Sequence, residues 1–101
     1  MEILSWNIYQ ITANETLIKG VMLRGKLRKL ALEKNTNLLV ENASDLENCV
    51  RFALLSENEP SLFMKYINSV IPDSKITLVS ENVKNPVLSK LKVNLESRYT
   101  P

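Results

Sequence analysis

The sequence predicts an α+β sandwich in which two helices cover one face of an antiparallel sheet. Three observations carry that prediction. Five short segments are rich in β-branched, aromatic or alternating apolar residues, and two others repeat their apolar residues at helical spacing. Their order is strand, helix, strand, strand, helix, strand, with one further strand at the end. At 101 residues the chain, 1–101, reads as a single domain, large enough to fold around one core without staples.

Residues 3–11 (ILSWNIYQI) hold the aromatic and β-branched types that suit a pleated surface and open the chain as a strand. The polar run from Thr12 to Thr16 connects it to a helix over Met22–Lys34. There Leu23, Leu27, Leu30 and Ala31 recur at i, i+4, i+7 and i+8, charges take the opposite face, and Asn35 supplies the stop. Thr36–Asn42 is a short strand with Leu38 and Val40 on one face. After a turn at Ala43, Ser44 and Asp45, Cys49–Leu55 (CVRFALL) returns beside it as an antiparallel hairpin. Pro60 stands as a first helical residue behind a cap at Asn58 or Glu59. Leu62, Phe63, Tyr66, Ile67 and Val70 mark a buried helical face that Pro72 closes. Lys75–Ser80 is a strand. Beyond a turn at Asn85-Pro86, Leu91, Val93 and Leu95 alternate with Lys90, Lys92, Asn94 and Glu96 in a half-buried edge strand, where lysines deter further pairing. The order βαββαβ is that of a split-βαβ, ferredoxin-like sandwich.

Composition removes most catalytic machinery. The chain has no His and one Cys, Cys49, so His-based triads, a His general base and Cys/His zinc sites are excluded. Its two glycines, Gly20 and Gly25, cannot write a G-x-G-x-x-G dinucleotide loop. Catalysis is left to carboxylates, Arg, Lys, Asn, hydroxyls and backbone amides, with no cofactor and no metal expected. Cys49 begins a strand with no basic neighbour and reads as an inert thiol. The lack of a disulfide pair suits a reducing cytoplasm. Ser5, Asn7 and Gln10 interrupt the apolar N-terminus, and no stretch approaches a membrane span. A cytoplasmic location with no membrane partner is therefore expected.

The formal net charge of +2 gives no general attraction to nucleic acid. Trp6 and Tyr9 suggest a stacking platform of the kind RNA-binding ferredoxin-like domains use. Such domains carry further aromatics on the third strand, where CVRFALL offers only Phe52, so nucleic acid is not an expected partner. The charges are unevenly placed, however. Lys19, Arg24, Lys26, Arg28, Lys29 and Lys34 cluster against the single acid Glu33. A solvated helix face explains this cluster, and so does positive potential for an anionic ligand.

The stretch Gly20–Leu27 matches a nucleotide-binding G-x-x-x-x-G-K loop but ends in Leu27, where the motif needs a hydroxyl for Mg²⁺. The predicted helix begins inside the match, which makes it a coincidence. The same residues carry a better resemblance. Gly20-Val21-Met22-Leu23-Arg24, at a loop-to-helix junction after a first strand, resembles the G-V-x-F-R signature of acylphosphatases. Leu39-Val40-Glu41-Asn42, ahead of a turn with Asp45, resembles the W-V-x-N signature at the end of that family's next strand. The strand, helix, Pro72, strand order downstream agrees, so the resemblance spans roughly residues 5 to 95, anchored on two short motifs.

That resemblance implies a ferredoxin-like fold and hydrolysis of small acyl phosphates. Arg24 would bind the phosphoryl group and Asn42 would orient the attacking water. The backbone amides of Leu17, Ile18, Lys19, Gly20 and Val21 would cradle the phosphoryl oxygens. Elementary chemistry is consistent with this set. An acyl phosphate carries a good leaving group, so its hydrolysis needs orientation and charge stabilisation more than acid–base help. A guanidinium fork binds two oxygens at once, and a helix N-terminus adds donors. The chain departs from the family pattern at Thr16, where a Gly is usual, at Leu23 for Phe, at Leu39 for Trp, and at Leu46, where a turn Gly is usual. The alternative implied by those departures is a non-catalytic domain of the same fold that binds anions or proteins.

Overall fold

The computed structural model describes residues 5–15, 18, 22–43 and 47–84. Its elements in chain order are β1 (Ser5–Ala13), α1 (Leu23–Glu33), β2 (Leu38–Asn42), β3 (Cys49–Leu55), α2 (Ser61–Val70) and β4 (Ser74–Lys84). The strands form one sheet in the order β2-β3-β1-β4, every neighbouring pair antiparallel. Because β1 and β2 both run antiparallel to the β3 between them, they are parallel to each other, and α1 is the crossover that joins them. This is the ferredoxin-like arrangement that the element order predicts. The expected last strand at Leu91–Leu95 lies outside the described residues.

Strand alternation sorts the side chains into two buried layers. On the helix side, Tyr9 and Ile11 of β1, Leu38 and Val40 of β2, and Val50, Phe52 and Leu54 of β3 meet Leu23, Leu27 and Ala31 of α1 and Phe63 and Ile67 of α2. Tyr9 and Phe52 are register partners and stack with centroids 5.1 Å apart, and Phe63 approaches Phe52 at 6.4 Å. On the other face, Trp6, Ile8, Leu39, Ala53 and Leu55 make a second buried cluster. Burial of both faces accounts for the consecutive apolar residues Leu38–Val40 of β2 and Phe52–Leu55 of β3, which one-sided burial does not require.

The termination of α1 is written in its last residues. Asn35 takes the left-handed conformation at φ 50, and the Thr36 amide donates to the Ala31 carbonyl at 2.9 Å while the Asn35 amide donates to Leu32 at 3.2 Å. That bond pair is a Schellman motif, with Asn in the position glycine usually fills. In α2, Pro60 precedes the first helical residue, Ser61, and the helix ends at Val70 ahead of Pro72.

Two expectations need correction. Leu62 is 45% exposed, not part of the buried face. It sits about 100° around the helix from the Phe63–Ile67 line, and Tyr66 and Val70 complete the stripe instead. The strand expected at Lys75–Ser80 continues to Lys84. Two register shifts against β1 let it pass the polar Glu81-Asn82 pair, with Asn82 at φ 53 and its amide donating to Asn7 Oδ1 at 3.0 Å.

Candidate functional site

The fold brings the C-terminal ends of β1 and β2 and the N-terminal end of α1 to one end of the sandwich. The pairings Thr12 with Cys49, Asn42 with Val50, and Ala13 with Ser74 fix that end. Helix α1 packs on β2 and joins it through the short connection Lys34–Asn37, so the two run antiparallel. Eleven helical residues and five strand residues both span about 16 Å, so α1 begins at the end of the sandwich where β2 finishes. Asn42 shares the helix-facing side of β2 with Leu38 and Val40, by two-residue alternation, and is half-buried. Arg24 is exposed in that first turn and, among the described residues, its guanidinium is held by no partner. Lys26 is exposed beside it, and the turn contains no acidic residue.

Met22, at φ 54 and ψ 46, precedes the helix and supplies no side-chain cap. The Lys26 amide donates to the Met22 carbonyl at 3.2 Å, and the amides ahead of it belong to the unsatisfied set that every helix start carries. Uncapped amides and the aligned peptide dipoles favour an anion at this position. Gly25 and Lys26 are helical here, which removes the nucleotide-loop reading of Gly20–Leu27. No atom lies within 4 Å of where a Cβ on Gly25 would stand, so no close approach requires a glycine there.

The connection from β1 to α1 is tied down from two other connections at the same end. Asn48, at φ 50 in the β2–β3 turn, accepts from the Ile18 amide through Oδ1 at 2.8 Å and donates from Nδ2 to the Ala13 carbonyl at 2.9 Å. Asp73, between α2 and β4, accepts from the Glu15 amide at 2.8 Å. Ile18 itself is buried in the helix-side core. One expected role changes as a result: the Ile18 amide is engaged by Asn48 and is not a free phosphate donor in this structure. Leu17, Lys19, Gly20 and Val21, the other amides of the expected cradle, lie outside the described residues.

Three further sequence expectations find their places. Cys49 is buried and in no disulfide. Trp6 and Tyr9 are both buried and face opposite sides of the sheet, so they share no stacking platform. Lys26, Arg28, Lys29 and Lys34 are exposed on α1 or at its C-terminal end, as a solvated charged face is. Among the described residues no group of three or more Cys, Asp or Glu side chains is placed to hold a metal ion, and no helix is long and apolar enough to cross a membrane. Comparison with protein-family models, curated proteins and solved structures finds no match for this chain.

Asn48 and Asp73 were invisible to sequence reasoning as site-shaping residues. Each reads locally as a turn residue, and its partner is 30 or more positions away. The only available signal is a short polar side chain in a connection that topology brings beside another.

Proposed function

We propose that this chain is an acylphosphatase-like hydrolase that splits small acyl phosphates into carboxylate and inorganic phosphate. The observation that supports the reading is that α1 begins, with Arg24 exposed in its first turn, at the end of the sandwich where β2 finishes at Asn42. Arg24 clamps two phosphoryl oxygens, and the amides at the start of α1 donate to the third. Asn42 orients a water opposite the leaving group. The water oxygen bonds to phosphorus as the bond from phosphorus to the carboxylate oxygen breaks. The carboxylate leaves with that electron pair, and both water protons end on inorganic phosphate. No group on the protein has to change protonation state, which suits a chain without His.

A second reading has its own support. The Ile18 amide is engaged by Asn48, and the carboxylates of Glu15 and Asp73 lie at the same end, where they oppose anionic charge. These favour a non-catalytic domain that binds a weakly charged or protein partner through the same end. Turnover of benzoyl phosphate by the whole protein separates the two. The hydrolase reading expects turnover that Arg24→Ala and Asn42→Ala each abolish, and the absence of turnover in the unaltered protein leaves the second reading standing.

A further inference from the structure

We propose that Asn48 is a positioning residue for this end of the sandwich: it ties Ile18, ahead of α1, and Ala13, at the end of β1, to the β2–β3 turn, and anion binding at the start of α1 depends on that tie. The inference rests on the hydrolase reading for its kinetic consequence, and on geometry for the rest. One amide side chain uses its acceptor and its donor on two backbone groups that flank the connection's first half, the Ile18 amide at 2.8 Å and the Ala13 carbonyl at 2.9 Å. Both bonds are part-buried, where such a bond is worth more than at the surface. The residue that makes them sits in a left-handed conformation at φ 50, which Asn adopts more readily than most side chains. Asn48 also belongs to the turn that follows Asn42, and the Ala43 amide donates to the Cys49 carbonyl at 3.0 Å across it. Asn48 therefore adjoins the strand pair that carries Asn42 and holds Ile18, which shares the helix-side core with Leu23, the chain neighbour of Arg24. Displacing it moves both groups relative to each other, and a misplacement of about 1 Å costs on the order of 100-fold in rate. Asp73 supports the connection from the other side through one bond to Glu15, which is exposed and so weaker.

The test uses the whole protein and two substitutions. Asn48→Gly keeps the left-handed backbone and removes both bonds; Asn48→Asp keeps the acceptor for Ile18 and loses the donor to Ala13. Amide hydrogen exchange at Ile18 reads the tether directly, and kcat and KM for benzoyl phosphate read its consequence. Asn48→Gly is expected to speed Ile18 exchange about tenfold, the equivalent of one net hydrogen bond, and to lower kcat about tenfold or more while the protein stays folded. Asn48→Asp is expected to restore Ile18 protection and part of kcat, a rescue that a residue serving the turn alone does not produce. Unchanged Ile18 exchange in Asn48→Gly overturns the proposal, and so does faster exchange with kcat and KM untouched. If the unaltered protein has no turnover, the hydrolase reading fails by itself. The positioning role is then read by NMR titration with inorganic phosphate at the first amides of α1. Weaker phosphate binding in Asn48→Gly than in the unaltered protein supports it, and equal or absent binding in both overturns it.

Discussion

The two ends of α1 are finished in opposite ways. At its C-terminus the chain satisfies itself: Asn35 turns left-handed, Thr36 and Asn35 donate back into the last turn, and no distant residue is needed. At its N-terminus Met22 is also left-handed, yet its side chain supplies no cap, and Ile18 and Glu15 ahead of the helix are held by Asn48 and Asp73 from elsewhere in the fold. The N-terminal end buries Leu23 in the core and exposes Arg24 and Lys26 beside it. The difference is in how each end is held, locally at one and from distant residues at the other, and it can be broken at each point.

The largest effect is expected midway, where both ends depend on the core. Leu27 is fully buried between α1 and the sheet, and Leu27→Ala should cost about 2–5 kcal/mol by urea unfolding; a midpoint equal to that of the unaltered protein contradicts the packing described. Next comes Arg24→Ala. It should lower kcat/KM for benzoyl phosphate by about 100-fold or more, on the scale of losing a preorganised charge donor. Because Arg24 is exposed and has no partner among the described residues, stability should stay within about 0.5 kcal/mol. Loss of fold in this variant refutes the division between the two ends.

Smaller effects distinguish the two left-handed residues. Asn35→Ala should cost about 1 kcal/mol, the penalty of a Cβ in this conformation without an Asn side chain to ease it. Met22→Gly should be neutral or stabilising by about 0.5 kcal/mol, since Met22 is 73% exposed and relief of its backbone outweighs the lost contacts. A destabilisation of Met22→Gly larger than that of Asn35→Ala reverses the comparison.

How much of this the residues announce depends on whether the cause is local. The β3 span Cys49–Leu55 is readable at both ends because its apolar run is bounded by polar turns, and Asn35 announces the end of α1 by its own conformational preference. Leu38, Val40, Phe63 and Ile67 reach the core as their periodicity dictates. Leu62 does not, because period alone leaves the edge of an apolar stripe undefined. The extension of β4 to Lys84 depends on bulges that a polar pair in sequence disguises as a stop. The burial of Glu41 beside Leu39 is likewise hidden. Its neighbour in register is Arg51, whose Nε donates to Gln10 Oε1 at 3.0 Å, and that polar row exists only once three strands are paired. For the site, Arg24 and Asn42 stand out by motif, and topology alone explains why they share an end. The tether through Asn48 joins residues 30 and 35 positions apart and has no sequence signature.

The proposed reaction is attack of water on phosphorus at the N-terminal end of α1, and isotope labelling tests it most directly. Benzoyl phosphate hydrolysed by the whole protein in ¹⁸O-water is analysed for the fate of the label, alongside Arg24→Ala and Asn42→Ala. The account predicts label in inorganic phosphate, none in benzoate, and loss of turnover in both variants. Label in benzoate, or turnover that neither substitution changes, contradicts it.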